Sequence, residues 1–123
     1  MMRVTDVAAA VGRLKAKYPL MAVDKLQADE PQTVDEIVVD VFCNLSQVEE
    51  CALWLAQCHP VARFNRRQDT YSYKHEVERH AGHWLSHTSL LVAIELAELD
   101  MIQDPTRPWA GLLKLGADRP GRT

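Results

Sequence analysis

The stretch that decides the fold runs from Asn65 to Ala97 and reads NRRQDTYSYKHEVERHAGHWLSHTSLLVAIELA. Its first residues are basic and carry no helical stripe of apolar side chains, so they are predicted to form a loop. Two helices follow in quick succession, at about 71–81 and 89–99, and Gly82 is placed to end the first of them in a left-handed cap. Helices joined by so short a linker usually pack against each other.

Capping residues stand in front of both helices. Asp69 or Thr70 can cap the first helix, and the residues from Ser86 to Thr88 can cap the second. Their short polar side chains accept hydrogen bonds from the backbone N–H groups at the start of a helix. The second helix is apolar nearly all round, which predicts the central helix of the core.

The first helix has two different faces when it is projected at about 100° per residue. Tyr73 and Val77 lie on the side that faces the core, whereas a polar stripe lies opposite, and packing does not require it there. The stripe either clamps the preceding basic loop, with Lys74 and Glu78 as an ion pair on a solvated face, or it faces a partner. The residues of this candidate partner-binding surface are Arg66, Arg67, Tyr71, Lys74, His75 and Glu78.

The same positions carry a resemblance. In order along the chain they are Arg66, Arg67, Tyr71, Lys74, His75, Glu78, Gly82, Trp84, Ser86 and the apolar run at 90–97. This order resembles a family of small phage, plasmid and mobile-element proteins, and it covers roughly a quarter of the chain. The chain departs from the family at Ser72-Tyr73, where Gly-Leu is common, and at His87-Thr88, where Asn-Gly is common. The resemblance implies residence on a mobile element and implies no known reaction.

A metal site is an alternative interpretation of the histidines. Glu76, His80, His83 and His87 would share one face of an unbroken helix, as ligands for zinc or another divalent transition metal in a hydrolase or nuclease. A helix that ends at Gly82 would move the last two histidines off that face. The chain also lacks the H-E-x-x-H order of zinc proteases. We therefore expect no cofactor and no catalytic residue, with zinc kept as the alternative.

Towards the N-terminus a first amphipathic helix is predicted, with Thr5 and Asp6 as caps and Pro19 at its end. Residues 19–33 read as a connector with one short turn around Val23–Leu26. The apolar stripe of the first helix consists of Val7, Val11, Leu14 and Tyr18.

Residues 34–45 are ambiguous between helix and strand, because a β-branched run is superimposed on helical spacing. The pair of Thr33 and Glu36 has the form of a capping box and favours a helix. Ser46 begins a second such pattern, ahead of a helix that ends at His59. The inner face of that helix is predicted to carry Val48, Cys51, Ala52, Leu55 and Cys58.

Beyond Asp100 two proline-containing turns precede WAGLLKL at 109–115, which is predicted to dock as an irregular strand. Residues 116–123 are predicted to be a flexible tail. The sequence therefore predicts a mainly α fold, with a single compact helical domain of about five helices over residues 1–115 and room for a short C-terminal β segment.

Composition limits the function. The chain has 123 residues and a formal net charge of −3, with a pI near 5.9, so it does not coat nucleic acid through bulk charge. Its first apolar run is broken by Gly12 and Arg13, unlike a secretory signal, and no apolar run has the roughly 18 residues of a membrane span. These features predict a cytoplasmic protein that does not act on membranes.

The function expected from the sequence is that of a non-enzymatic accessory protein of a phage or mobile element, which binds a macromolecular partner. A protein partner is favoured, and a host-defence component is the specific version. A nucleic-acid regulator is the alternative, with stacking by Phe64 or Tyr71. A homodimer that uses Trp54, Trp84 or Trp109 stays open. The local basic patch for nucleic acid would consist of Arg63, Arg66, Arg67, Lys74 and Arg79.

Overall fold

A computed structural model of the chain describes residues 3–18 and 34–116, without the side chains of residues 4, 34 and 35. The described residues contain five helices and one antiparallel pair of strands, which confirms the predicted mainly α fold. None of these helices combines the length and the apolar character needed to cross a membrane. The elements are α1 Val4–Lys17, α2 Val34–Phe42, α3 Leu45–Ala56, α4 Thr70–Ala81, α5 His87–Leu96, β1 Met101–Gln103 and β2 Gly111–Leu113.

Helix α5 is the central helix, as its apolar sequence predicts. Its residues 87–95 are all buried, and it contacts each of the other four helices. The side chain of Ser86 accepts a hydrogen bond from the backbone N–H of Ser89 at 3.1 Å, so the predicted cap is confirmed. Burial of each large apolar side chain contributes about 1.5–3 kcal/mol, so this helix organises the core.

Helix α1 packs against α2 and α5 and buries its predicted stripe, with Tyr18 partly buried, but its start differs from the prediction. The helix begins at Val4, so Thr5 and Asp6 lie inside its first turn rather than at its cap. Asp6 instead accepts a hydrogen bond from the backbone N–H of Arg3, at 3.4 Å. A carboxylate at that position satisfies the start of a helix as well as a cap does, which explains the shift. The predicted end at Pro19, the connector and the Thr33 cap lie outside the described residues.

The ambiguous segment at 34–45 is helical, so the favoured interpretation is confirmed. Ser46 is not a cap, because α2 and α3 are separated only by residues 43–44, and Asn44 occupies the cap position. Helix α3 ends at Ala56, before His59. The N–H groups of the next two residues, Gln57 and Cys58, bond carbonyls three residues back and tighten the final turn. Cys51 and Cys58 are buried as predicted, whereas Ala52 is exposed.

The C-terminal segment forms a hairpin. The predicted strand within 109–115 is confirmed over β2, and its partner β1 was not predicted as a strand. Gly111 lies where the two strands meet, and an added Cβ there would overlap the side chain of Met101 and force it to shift. An isolated bridge between Pro60 and Leu115 then joins the hairpin to the chain after α3. Of the predicted tail at 116–123, Gly116 donates a backbone hydrogen bond to the carbonyl of His59 at 3.0 Å, and the residues from 117 onward lie outside the described residues.

Candidate functional site

Helix α4 is fixed at both ends by the residues that the sequence indicates. The side chain of Asp69 accepts a hydrogen bond from the backbone N–H of Ser72 at 3.0 Å, and its carboxylate lies 3.4 Å from Arg107. Gly82 ends the helix with a φ of 83°, a left-handed conformation that glycine adopts at little cost. Both predicted caps are therefore confirmed, and the helix does not continue into the later histidines.

The polar stripe of α4 is turned inward at Lys74, which corrects the predicted solvated face. Lys74 is only 5% exposed, and its ammonium lies 3.0 Å from Oε2 of Glu78. The rings of Tyr71 and Trp84 cover it, with centroids 5.4 and 5.3 Å from Nζ. Trp84 itself is 63% exposed, because the helix ends before it.

Glu78 uses both of its oxygens. Oε2 accepts a hydrogen bond from the backbone N–H of Leu85 at 2.9 Å as well as from Lys74, and Oε1 lies 2.8 Å from Nδ1 of His75. We call Lys74, His75, Glu78 and the backbone of Leu85 the α4 clamp. The clamp holds the turn that follows α4, whereas the sequence predicted a clamp on the preceding loop.

The surroundings of Glu78 keep its side chain ionised. Burial raises its pKa, but hydrogen bonds from the Leu85 N–H, Lys74 and His75 outweigh that effect and hold the pKa below its usual value. A carboxylate with both oxygens engaged and its charge balanced is poorly suited to exchange protons with a substrate. The role of Glu78 in the structure is to organise the α4 clamp.

A hydroxyl and an imidazole meet behind this clamp. Oγ1 of Thr70 lies 2.7 Å from Nε2 of His87 and accepts a hydrogen bond from the backbone N–H of Gly111 at 3.0 Å. The spacing would suit a nucleophile and its base. However, Thr70 and His87 are at most 1% exposed, so a substrate has no access to them. The pair instead joins α4, α5 and β2.

The four candidate metal ligands do not come together. Glu76 is buried and accepts a hydrogen bond from Gln68 at 3.0 Å. His83 pairs with a carboxylate of α3, and His87 bonds to α4. Across residues 3–18 and 34–116, no group of three or more His, Cys, Asp or Glu side chains is placed to share a metal ion.

A group of exposed positive charges lies on the loop before α4. Arg63, Arg66 and Arg67 are all exposed, and none of them forms an ion pair with a carboxylate of the described residues. Together with Lys114 they surround a recess of about 880 Å³. We call residues 62–67 and Lys114 the arginine recess. It concentrates four positive charges from two distant parts of the chain.

The backbone under the arginine recess is held firmly. The N–H of Val61 donates to the carbonyl of Lys114 at 3.0 Å, and the N–H of Asn65 donates to the carbonyl of Leu113 at 2.8 Å. Within the loop, Oδ1 of Asn65 accepts from the N–H of Arg67 at 2.9 Å. The arginines therefore extend from a backbone fixed to β2 and the residue after it.

Lys114 is also fixed by its side chain. Its ammonium lies 3.0 Å from Oδ2 of Asp100 and 4.9 Å from the ring centroid of Phe64. No sequence pattern indicated Lys114, because the pairing of β2 with the loop brings it to the arginines. Of the predicted surface, Arg66, Arg67 and His75 are exposed, Tyr71 and Glu78 are partly buried, and Lys74 is buried.

No protein-family model, no curated protein and no solved structure matches the chain. The resemblance of residues 66–97 to mobile-element proteins therefore stays a prediction from the sequence.

Proposed function

We propose that this protein is a non-enzymatic accessory protein that binds a partner protein through the arginine recess. The observation that carries this proposal is the set of three exposed guanidinium groups, without carboxylate partners among the described residues, on a loop whose backbone is bonded to β2. Like charges held together repel one another, so the fold gains no stability from this arrangement. An anionic partner surface would turn the repulsion into attraction.

Several side chains with the chemistry of catalysis have structural roles, which supports binding rather than reaction. Thr70 and His87 are sealed between three elements, and Glu78 is committed to the α4 clamp. Burial, with smaller contributions from Glu50 and Glu78, raises the pKa of the Cys51 thiol to about 12, so this group is not a nucleophile at neutral pH.

The sequence supports a biological context for the protein. The resemblance of residues 66–97 to phage, plasmid and mobile-element proteins supports a role on such an element, in the cytoplasm of the host cell. A small accessory protein of this kind could take a component of the host's defences as its partner. The arginine recess is the surface that we assign to that contact.

The proposal is tested by capture from the native host lysate. The natural chain is compared with Arg66→Ala/Arg67→Ala and with Arg79→Ala, which removes a positive charge from the exposed side of α4 outside the recess. The double variant is expected to lose the partner and Arg79→Ala to retain it. The single variant Arg67→Ala gives a comparison at equal net charge with Arg79→Ala.

If the double variant captured the same proteins in the same amounts as the natural chain, the arginine recess would not be the binding surface. If the charge-matched variants Arg67→Ala and Arg79→Ala weakened capture equally, net charge rather than the recess would govern binding. Either result contradicts the proposal.

A further inference from the structure

We infer that the arginine recess binds an acidic segment of the partner protein, a short run of Asp and Glu side chains. The inference rests on the proposed function and adds the chemistry of the partner. Planar guanidinium groups pair with carboxylates through two parallel hydrogen bonds, and the recess offers three of them beside one ammonium.

The size of the recess suits such a segment. Its volume of about 880 Å³ lies in the range of sites that hold small ligands, which leaves room for a few side chains. The cations come from two sides, with the arginines on the loop and Lys114 after β2. A segment with carboxylates at successive positions would reach both sides at once.

The aromatic side chains argue against single-stranded nucleic acid as the occupant. Binding of that kind uses aromatic faces on which bases stack. Phe64 is half-buried, and the ammonium of Lys114 lies over its ring. Tyr71 is packed edge-on against the rings of His75, His87 and Trp109, at centroid distances of 4.8, 5.7 and 5.1 Å.

The net charge of the whole chain also argues against a long nucleic acid as the occupant. With a formal net charge of −3, a long polyanion that continued past the recess would be repelled by the rest of the surface. A short acidic segment confined to the recess meets the three arginines and the ammonium of Lys114, which it would share with Asp100. The fixed backbone of the loop also lowers the entropy lost on binding, because little of it remains to be ordered.

Fluorescence anisotropy with defined probes tests the inference. The probes are a labelled short peptide of alternating Asp and Glu, its Asn and Gln counterpart, and a single-stranded DNA of equal charge. The acidic peptide is expected to bind most tightly and to weaken as salt is added. Arg66→Ala/Arg67→Ala should weaken it about tenfold, which corresponds to about 1.4 kcal/mol. Arg79→Ala should change its affinity less than about twofold.

Two outcomes would overturn the inference. Tighter binding of the DNA, lost in Arg66→Ala/Arg67→Ala, would make the recess a nucleic-acid site. Absence of binding to the acidic peptide, or equal binding of its Asn and Gln counterpart, would remove the acidic segment as occupant. In that case, capture from lysate that still depends on Arg66 and Arg67 would leave the proposed function standing, whereas capture that does not depend on them would remove both.

Discussion

The α4 clamp and the arginine recess both consist of charged residues that lie close together in the chain, but they differ in burial and in pairing. In the clamp, Lys74 and Glu78 are withdrawn from solvent and each is paired. In the recess, three arginines are exposed and have no carboxylate partner among the described residues. The charges of the clamp are therefore enclosed and neutralised, whereas the arginines extend into solvent from a backbone that is bonded to β2.

The largest effect is expected where the clamp is broken. Glu78→Ala would leave the ammonium of Lys74 buried without its carboxylate and would remove the acceptor of the Leu85 N–H. A buried charge that loses its partner is strongly destabilising, so we expect the free energy of unfolding to fall by about 3 kcal/mol. Urea unfolding at neutral pH measures it.

The control for this variant removes both charges together. Lys74→Met combined with Glu78→Gln leaves no lone buried charge, so it should lose less stability than Glu78→Ala alone. If Glu78→Ala cost less than about 1 kcal/mol, Lys74 would be solvated and the contrast with the recess would disappear.

A smaller loss is expected at Thr70, behind the clamp. Thr70→Val keeps the shape of the side chain but removes the hydroxyl that bonds to Gly111 and His87. Leaving such buried polar groups without their partner should cost about 2 kcal/mol in thermal or urea unfolding. Thr70→Ser retains the hydroxyl and should be closer to the natural chain. Equal stability of both variants would show that packing, not hydrogen bonding, joins these elements.

Glu95 is intermediate between the buried clamp and the exposed recess, because it is buried while its partners Arg13 and Lys17 are half exposed. Burial raises its pKa, but hydrogen bonds from the two cations outweigh that and lower it in the folded state. The unfolded chain therefore binds more protons, and the stabilisation is present above about pH 4.5 and lost as the pH falls through the folded pKa.

In Glu95→Gln the free energy of unfolding should therefore decline less in acid than in the natural chain. The difference should be about 1 kcal/mol, because solvent screens the exposed partners of Glu95. Stability measured by urea unfolding across this pH range provides the comparison. A decline as steep in Glu95→Gln as in the natural chain would mean that other carboxylates cause it. Glu78, whose pKa is also lowered, would then be the first to examine.

The smallest effect is expected in the recess itself. Arg66→Ala/Arg67→Ala removes exposed side chains and relieves repulsion between like charges, so stability should change by less than about 0.5 kcal/mol. Thermal unfolding of the double variant, of Arg79→Ala and of the natural chain measures this change in stability. A loss as large as that of Glu78→Ala would give the arginines a structural role and erase the distinction between the two regions.

The sequence predicted the parts of the fold that depend on local chemistry. Asp69 and Gly82 act on the backbone within a few residues of their own positions, so the limits of α4 could be inferred. The apolar run of α5 predicted its central position, because a helix that is apolar on nearly all sides must be buried. The start of α1 was misplaced because Asp6 serves a helix from inside its first turn as well as from its cap.

The sequence could not predict the features that depend on distant parts of the chain. Lys74 is buried because Trp84 folds back over it after the helix has ended. Lys114 joins the arginines because β2 pairs with the loop. Spacing along one helix contains neither fact, so the predicted surface mixed clamp residues with the exposed Arg66 and Arg67.

The hydrogen bonds under the arginine recess make it a reporter on the hairpin. The amide protons of Val61 and Asn65 are held by carbonyls at the end of β2, so their exchange with solvent requires the loop and the strand to separate. A ligand that bridges Lys114 and the arginines would oppose that separation. By thermodynamic linkage, it would slow hydrogen–deuterium exchange at both amides and in the strand beyond them.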